Sequence, residues 1–153
     1  MSHPGGLSRL PGMNTTPHTV ATGVLTASAL YVGWWASLAP RSFYDSFPGL
    51  NRTWVGGDGP FNEHLVRDVG GLYLALAVAG VLALAWRERR TTLMLGAAWT
   101  TFSLLHLSYH LHHLGELAAV DVVGNVVALG GTLVLAVLLL VPARAEQRAE
   151  VTA

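Results

Sequence analysis

Four apolar stretches alternate with shorter polar connections along this chain. They cover residues 20–39, 64–86, 92–111 and 122–141. Each stretch is close to the length of about 20 residues that an α-helix needs to cross the hydrocarbon layer of a membrane. A backbone in that layer must satisfy its own hydrogen bonds, so we interpret the stretches as helices even where Val is frequent. The pattern predicts an all-α fold, a four-transmembrane-helix bundle.

A long segment rich in aromatic residues, Gly and Pro joins the first two predicted helices. It runs from Pro40 to Asn62 and contains the sequence FYDSFPGLNRTWVGGDGPFN. Aromatic side chains anchor loops at a membrane interface, and a compact loop can also cover a site beneath it. The sequence leaves both interpretations open.

The distribution of arginine predicts how the helices are oriented. The arginines that flank the predicted helices on one side are Arg9, Arg87, Arg89, Arg90, Arg144 and Arg148. By the positive-inside rule this side is cytoplasmic, and so are both termini. We therefore expect a disordered cytoplasmic leader at 1–18, the transmembrane domain at 19–142 and a short cytoplasmic tail at 143–153. The expected location is the inner (plasma) membrane, with several passes.

Composition supports a membrane protein and excludes some functions. Hydrophobic residues make up 52% of the chain and charged residues 12%, with a mean hydropathy of +0.45, whereas soluble domains carry about 25% charged residues. The formal net charge is +0, so no global field attracts nucleic acid, and the expected partners are the lipid bilayer and a second copy or another membrane subunit. The absence of cysteine excludes disulfides, Cys-based zinc sites and Cys nucleophiles.

Polar and ionisable residues concentrate at one end of the predicted bundle. His106, His110 and His113 follow the spacing i, i+4 and i+7, so they share one helix face. The remaining residues lie at the starts of the second and fourth predicted helices. The candidate pocket comprises Glu63, His64, Arg67, Asp68, His106, His110, His113, Asp121 and Asn125.

This set of side chains allows three interpretations. Imidazoles and carboxylates can bind a divalent transition metal, they can hold a small organic ligand through hydrogen bonds, or they can form a structural ion-pair network at the interface. The candidate metal ligands are His64, His106, His110 and His113. The candidate ligand-binding residues are Arg67, Asp121 and Asn125, and the candidates for proton transfer are Glu63 and Asp68.

Two functions therefore remain open from the sequence. The first is an integral membrane protein with a His/carboxylate pocket at its extracytoplasmic end that binds a metal ion or a small polar ligand. The second is a non-catalytic accessory or scaffold subunit in which the polar cluster has a structural role. The residues are compatible with an enzyme without identifying a reaction.

Three segments carry a resemblance to a known group. FYDSFPG, NEHLVRDVGGLYLALA and the VGN of the last predicted helix resemble uncharacterised small bacterial four-helix membrane proteins, broadly similar to the DoxX-like superfamily. The resemblance covers residues 20–141 and implies a four-helix bundle of unknown activity. DoxX itself is associated with redox partners and quinone-linked sulfur oxidation. This chain has no cysteine and shares no catalytic motif with DoxX, so no residue role is transferred.

Overall fold

The computed structural model describes residues 16–142, and within them the chain is helical. Its five α-helices are α1 (Thr16–Leu38), α2 (Pro40–Ser46), α3 (Glu63–Trp86), α4 (Arg89–His112) and α5 (Ala119–Leu140). Between α2 and α3 a short antiparallel hairpin pairs β1 (Pro48–Gly49) with β2 (Arg52–Thr53), and one turn of 3-10 helix (Leu114–Glu116) precedes α5. The predicted tail and most of the predicted leader lie outside the described residues, and α1 begins inside that leader.

The prediction of a four-transmembrane-helix bundle is wrong. Of the described helices, only α3 and α5 are long and apolar enough to cross a membrane, with mean hydropathies of 2.1 and 2.4. The stretches at 20–39 and 92–111 fall short because Thr, Ser, Gly, His, Tyr and Trp interrupt their apolar residues. The long loop predicted after the first stretch is also more ordered than expected, since it contains α2 and the hairpin.

The four long helices pack as two antiparallel pairs, α1 with α3 and α4 with α5. Glycine permits the close approach in both pairs. A Cβ atom added to Gly70 of α3 would lie 2.6 Å from the backbone nitrogen of Ser37 in α1. In the second pair, a Cβ atom on Gly96 would lie 2.8 Å from Cβ of Leu139.

The main core lies between the two pairs. Trp99 of α4 is 1% exposed, and its ring meets those of Tyr73 and Phe102 edge-on. Leu25 of α1 and Leu139 of α5 are fully buried in the same cluster. Because these large apolar side chains fill the middle of the molecule, most ionisable groups lie at its two ends.

Arg89 fixes one end of the molecule. Its guanidinium donates hydrogen bonds to the carbonyl oxygens of Leu139, Leu140 and Val141 at 2.6, 3.1 and 2.8 Å. These are carbonyls at the end of α5 that lack partners within the helix. The α3–α4 connection, the start of α1 and the end of α5 therefore lie together, and the hairpin lies at the opposite end.

Candidate functional site

The hairpin between α2 and α3 is a tight turn held by aromatic packing. Leu50 and Asn51 have φ values of 56° and 58°, as a two-residue type I′ turn requires. The backbone nitrogen of Trp54 donates to the carbonyl oxygen of Phe47 at 2.8 Å. The ring of Phe47 packs on that of Phe43, with the centroids 4.7 Å apart. These contacts hold the hairpin against α2.

The same hairpin reaches across to the start of α5. The carboxylate of Asp121 accepts a hydrogen bond from Nε1 of Trp54 at 3.0 Å and another from Nη1 of Arg52 at 3.3 Å. The Trp54 ring also lies on Gly124, where an added Cβ would be 2.9 Å from Cζ2. We call these contacts of Arg52 and Trp54 with Asp121 and Gly124 the latch.

One face of α4 carries polar groups toward the hairpin end. Trp99, Ser103, His106 and His110 follow helical spacing along this face. The first two are buried and the two histidines are half-buried. The imidazole of His106 stacks on Phe102 with centroids 5.1 Å apart and meets the imidazole of His110 edge-on at 4.7 Å. We call His106 and His110 the histidine pair.

Buried polar atoms without a partner accompany the histidine pair. Asn125 and Ser103 are each 3% exposed, and within residues 16–142 neither Asn125 Oδ1 nor Ser103 Oγ has a hydrogen-bond partner. The other such atoms among these residues are Trp99 Nε1 and the hydroxyl oxygens of Thr22, Ser37 and Thr100. Leaving such a group unpaired costs about 1–3 kcal/mol, so these positions are candidates for a ligand contact.

Helix register brings Asn125 and the histidine pair to a common level. Gly96 lies against Ala136 and Leu139, and α4 and α5 run in opposite directions. Residues further along α4 therefore face earlier residues of α5, and the histidine pair lies level with the N-terminal part of α5. We call Ser103, the histidine pair and Asn125 the polar site.

Burial keeps the polar site uncharged at neutral pH. It lowers the pKa of His106 to about 4, with a smaller contribution from the charge of His110. Burial also lowers the pKa of His110, while Asp58 in the segment after the hairpin opposes this effect and His113 adds to it. Both imidazoles are therefore neutral at pH 7, and Asp58 lies close enough to act on the outer one.

The polar residues at the start of α3 pair with one another instead. Nε of Arg67 contacts Glu63 Oε1 at 2.8 Å, and Nε2 of His64 lies 3.3 Å from Asp68 Oδ2. Arg67 also donates to the backbone carbonyl of Ser37, which ties α3 to α1. All four side chains are exposed. In the described part of the chain, no hydrogen bond or ion pair joins them to the polar site.

The predicted metal ligands do not form a cluster. His113 is exposed, stacks on Tyr109 with the ring centroids 4.2 Å apart, and has its Nδ1 2.8 Å from the carbonyl oxygen of that tyrosine. Across residues 16–142, no three His, Asp or Glu side chains are grouped so that they could hold a metal ion. The geometry therefore does not fit a divalent metal at His64, His106, His110 and His113.

Sequence reasoning placed Asp121 at this end of the molecule but missed its partners. Arg52 and Trp54 precede Asp121 by 69 and 67 residues, and no helical spacing relates positions so far apart. Nε1 of Trp99 is buried without a partner among residues 16–142, and the sequence gives no signal for this.

Comparison with known proteins does not assign this site. No family model, curated protein or solved structure matches the chain. The resemblance to the DoxX-like superfamily therefore stays a prediction.

Proposed function

We propose that the chain is a membrane protein that binds a small polar ligand at the polar site. The observation that carries this proposal is the side chain of Asn125, which is 3% exposed and whose Oδ1 has no partner within the described residues. A buried amide oxygen is normally hydrogen-bonded. A ligand that donates to this oxygen would supply the missing bond.

The outward-facing surface supports the membrane part of the proposal. The apolar residues of α3 and α5 are mostly not buried inside the protein, which distinguishes these helices from the core helices of a soluble domain. Two exposed tryptophans lie at opposite ends of the molecule, Trp34 at 64% and Trp86 at 59%. Tryptophan is enriched at both water interfaces of a membrane.

Orientation follows from the arginines at one end. Arg87, Arg89 and Arg90 lie in or beside the α3–α4 connection, and the positive-inside rule assigns this end to the cytoplasm. α5, one of the two candidate spans, ends on this side, so we propose the inner membrane as the location and a cytoplasmic C-terminus.

The chemistry of the site favours an uncharged or weakly charged ligand with hydrogen-bonding groups. Ser103 offers a hydroxyl group, Asn125 offers an acceptor, and each neutral imidazole offers one donor and one acceptor. Glu63 and Asp68 are exposed and paired within α3, so we assign them no proton-transfer step. Binding without catalysis is the simplest function for these groups.

A second function, that of a non-catalytic accessory subunit, is favoured by the contacts of Arg67. This side chain pairs with Glu63 and also donates to the carbonyl of Ser37, so it joins α3 to α1. Such a bond serves packing and needs no ligand. In this alternative, Arg67→Gln lowers the thermal stability and the association with a second copy or another membrane subunit, whereas Asn125→Leu affects neither.

Ligand binding can be tested by native mass spectrometry of the detergent-purified protein against a library of small polar compounds. We expect one or more compounds to bind the native chain and to lose at least about tenfold in affinity with Asn125→Leu, which corresponds to the loss of one good hydrogen bond. His64→Ala, a change at an exposed histidine of α3, is the matched control and should bind normally. Compounds that bind the native chain and Asn125→Leu with equal affinity would refute the proposed site, and so would the absence of any bound compound.

Membrane association has its own test. The protein should remain in the membrane fraction after extraction with alkaline carbonate, because apolar helix surface holds it there rather than charge. A reporter fused to the C-terminus checks the orientation, and activity of an externally active reporter would contradict the cytoplasmic terminus.

A further inference from the structure

The segment from Phe47 to Gly59 lies over the end of the molecule that holds the polar site. We propose that this segment is a lid, closed by the latch to Asp121, and that its opening controls access to the polar site. This proposal rests on the proposed function, because control of access matters only if the polar site binds a ligand. The motion itself can be measured without knowing the ligand.

The segment is held unequally at its two sides. On the α2 side, the hydroxyl of Tyr44 lies within hydrogen-bonding distance of the carbonyl oxygens of Gly56 and Gly59 and can donate its one proton to either, and Phe47 packs on the rings of Trp35 and Phe43. On the α5 side, the polar contacts of the latch all end on the one carboxylate of Asp121. Release of the Asp121 side chain would therefore break all the polar contacts of the latch while the α2 side stays attached, and the packing of Trp54 on Gly124 would be the contact left on the α5 side.

The latched segment lies against the start of α5, beside the polar site. The Trp54 ring lies on Gly124, the residue next to the buried Asn125. Asp58, later in the same segment, raises the pKa of His110, which agrees with this placement. We therefore expect a ligand that approaches Asn125 from the hairpin end to displace this segment.

The latch is also of a kind that can open. The side chain of Arg52 keeps 39% exposure and that of Asp121 keeps 16%, so water can replace the bonds as they break. Partly exposed pairs of this type contribute only modestly to stability. Gly57 has open space around its α-carbon, and Gly59 has a φ of 150°, so the chain beyond Trp54 has backbone freedom for such a movement.

Histidine accessibility gives a direct test with diethyl pyrocarbonate, read at each histidine by peptide mass spectrometry on the full chain in detergent. Asp121→Asn removes the charge from the latch and keeps its shape. Trp54→Phe removes the Nε1 donor and keeps a ring on Gly124. We expect each variant to raise the modification rate of His110 by about fivefold or more, the factor that corresponds to the loss of one modest interaction from the closed state.

Three controls accompany this measurement. Arg90→Gln changes an exposed arginine at the opposite end of the molecule and should leave His110 unchanged. The exposed His64 and His112 should react at the same rate in every variant. If a latch variant shows faster modification of His64 or loses its helical circular dichroism signal, that variant is generally unfolded. The test of the lid then rests on the other latch variant.

The outcomes separate the lid from the proposed function. Unchanged His110 modification in both folded latch variants would overturn the lid. Faster modification of His110 in these variants supports the lid. If, in addition, no compound in the binding screen loses affinity with Asn125→Leu, only the proposed ligand function fails. A compound that binds and slows His110 modification in the native chain would support both.

Discussion

The contact between α1 and α3 gives a sharp test of the fold, because it depends on a glycine with no room for a side chain. In Gly70→Ala, the new Cβ atom would lie 2.6 Å from the backbone nitrogen of Ser37 and 3.0 Å from the carbonyl carbon of Ala36. These are backbone atoms, which cannot rotate away as a side chain can. The two helices would have to separate locally, with loss of contacts on both sides.

The neighbouring glycine isolates the cost of this clash. An added Cβ at Gly71 meets no atom within 4 Å, so Gly71→Ala changes little except helix propensity. Alanine is favoured over glycine inside a helix by about 1 kcal/mol, and this gain is common to both variants. The difference between their free energies of unfolding is therefore the packing cost alone, about 1–3 kcal/mol for an overpacked site.

The measurement is reversible unfolding of both variants in detergent micelles, followed by circular dichroism. We expect Gly71→Ala to equal or exceed the native stability and Gly70→Ala to fall below Gly71→Ala by about 1–3 kcal/mol. A difference within about 0.5 kcal/mol, the usual range for a surface substitution, would show that α1 and α3 do not meet at this position. The antiparallel pairing described here would then be refuted.

Three further predictions concern the ends of the molecule. Arg89→Gln should lower the free energy of unfolding by about 2 kcal/mol, because hydrogen bonds to a charged group are lost at the end of α5, while the same change at the exposed Arg90 should be nearly silent in the same unfolding assay. The free energy of unfolding should fall as the pH drops from 6.5 to about 4, because in this range the unfolded chain protonates His106 and the folded chain does not. The free energy of unfolding of His106→Gln should depend less steeply on pH. An equally steep dependence in this variant would contradict the lowered pKa of His106. Asn125→Leu should retain or raise the native melting temperature, because it removes a buried acceptor that has no partner among residues 16–142. Strong destabilisation would show that this amide is satisfied in the folded protein.

Local spacing in the sequence was informative within single helices. The i, i+4 relation of His106 and His110 puts their rings in contact, and the same relation pairs Glu63 with Arg67. Two neighbouring glycines of α3 differ in their surroundings, since Gly70 lies against α1 and Gly71 meets no atom within 4 Å. Periodicity identifies a face, but it does not say which neighbour that face meets.

Hydropathy alone misjudged the number of membrane-spanning helices. The stretches at 20–39 and 92–111 look continuous in the sequence, yet hydroxyl and aromatic residues keep α1 and α4 below the hydropathy that α3 and α5 reach. Several of these polar residues, including Thr26 and Thr92, hydrogen-bond to backbone carbonyls within their own helix. The hydroxyl groups of these residues therefore have hydrogen-bond partners close by in the sequence, and a helix that packs against other helices can contain them.

The candidate site illustrates which information lies beyond helix periodicity. The sequence predicted both Asp121 and Asn125 as ligand-binding residues, but the two residues have different surroundings. Asp121 is satisfied by Arg52 and Trp54 from a hairpin, whereas Asn125, one turn further on, is buried without a partner for its oxygen within residues 16–142. Only the tertiary fold distinguishes the carboxylate of Asp121, which is paired, from the amide oxygen of Asn125, which has no partner among the described residues. Because of this contrast, we expect ligand binding to respond to a change at Asn125 and lid opening to respond to a change at Asp121.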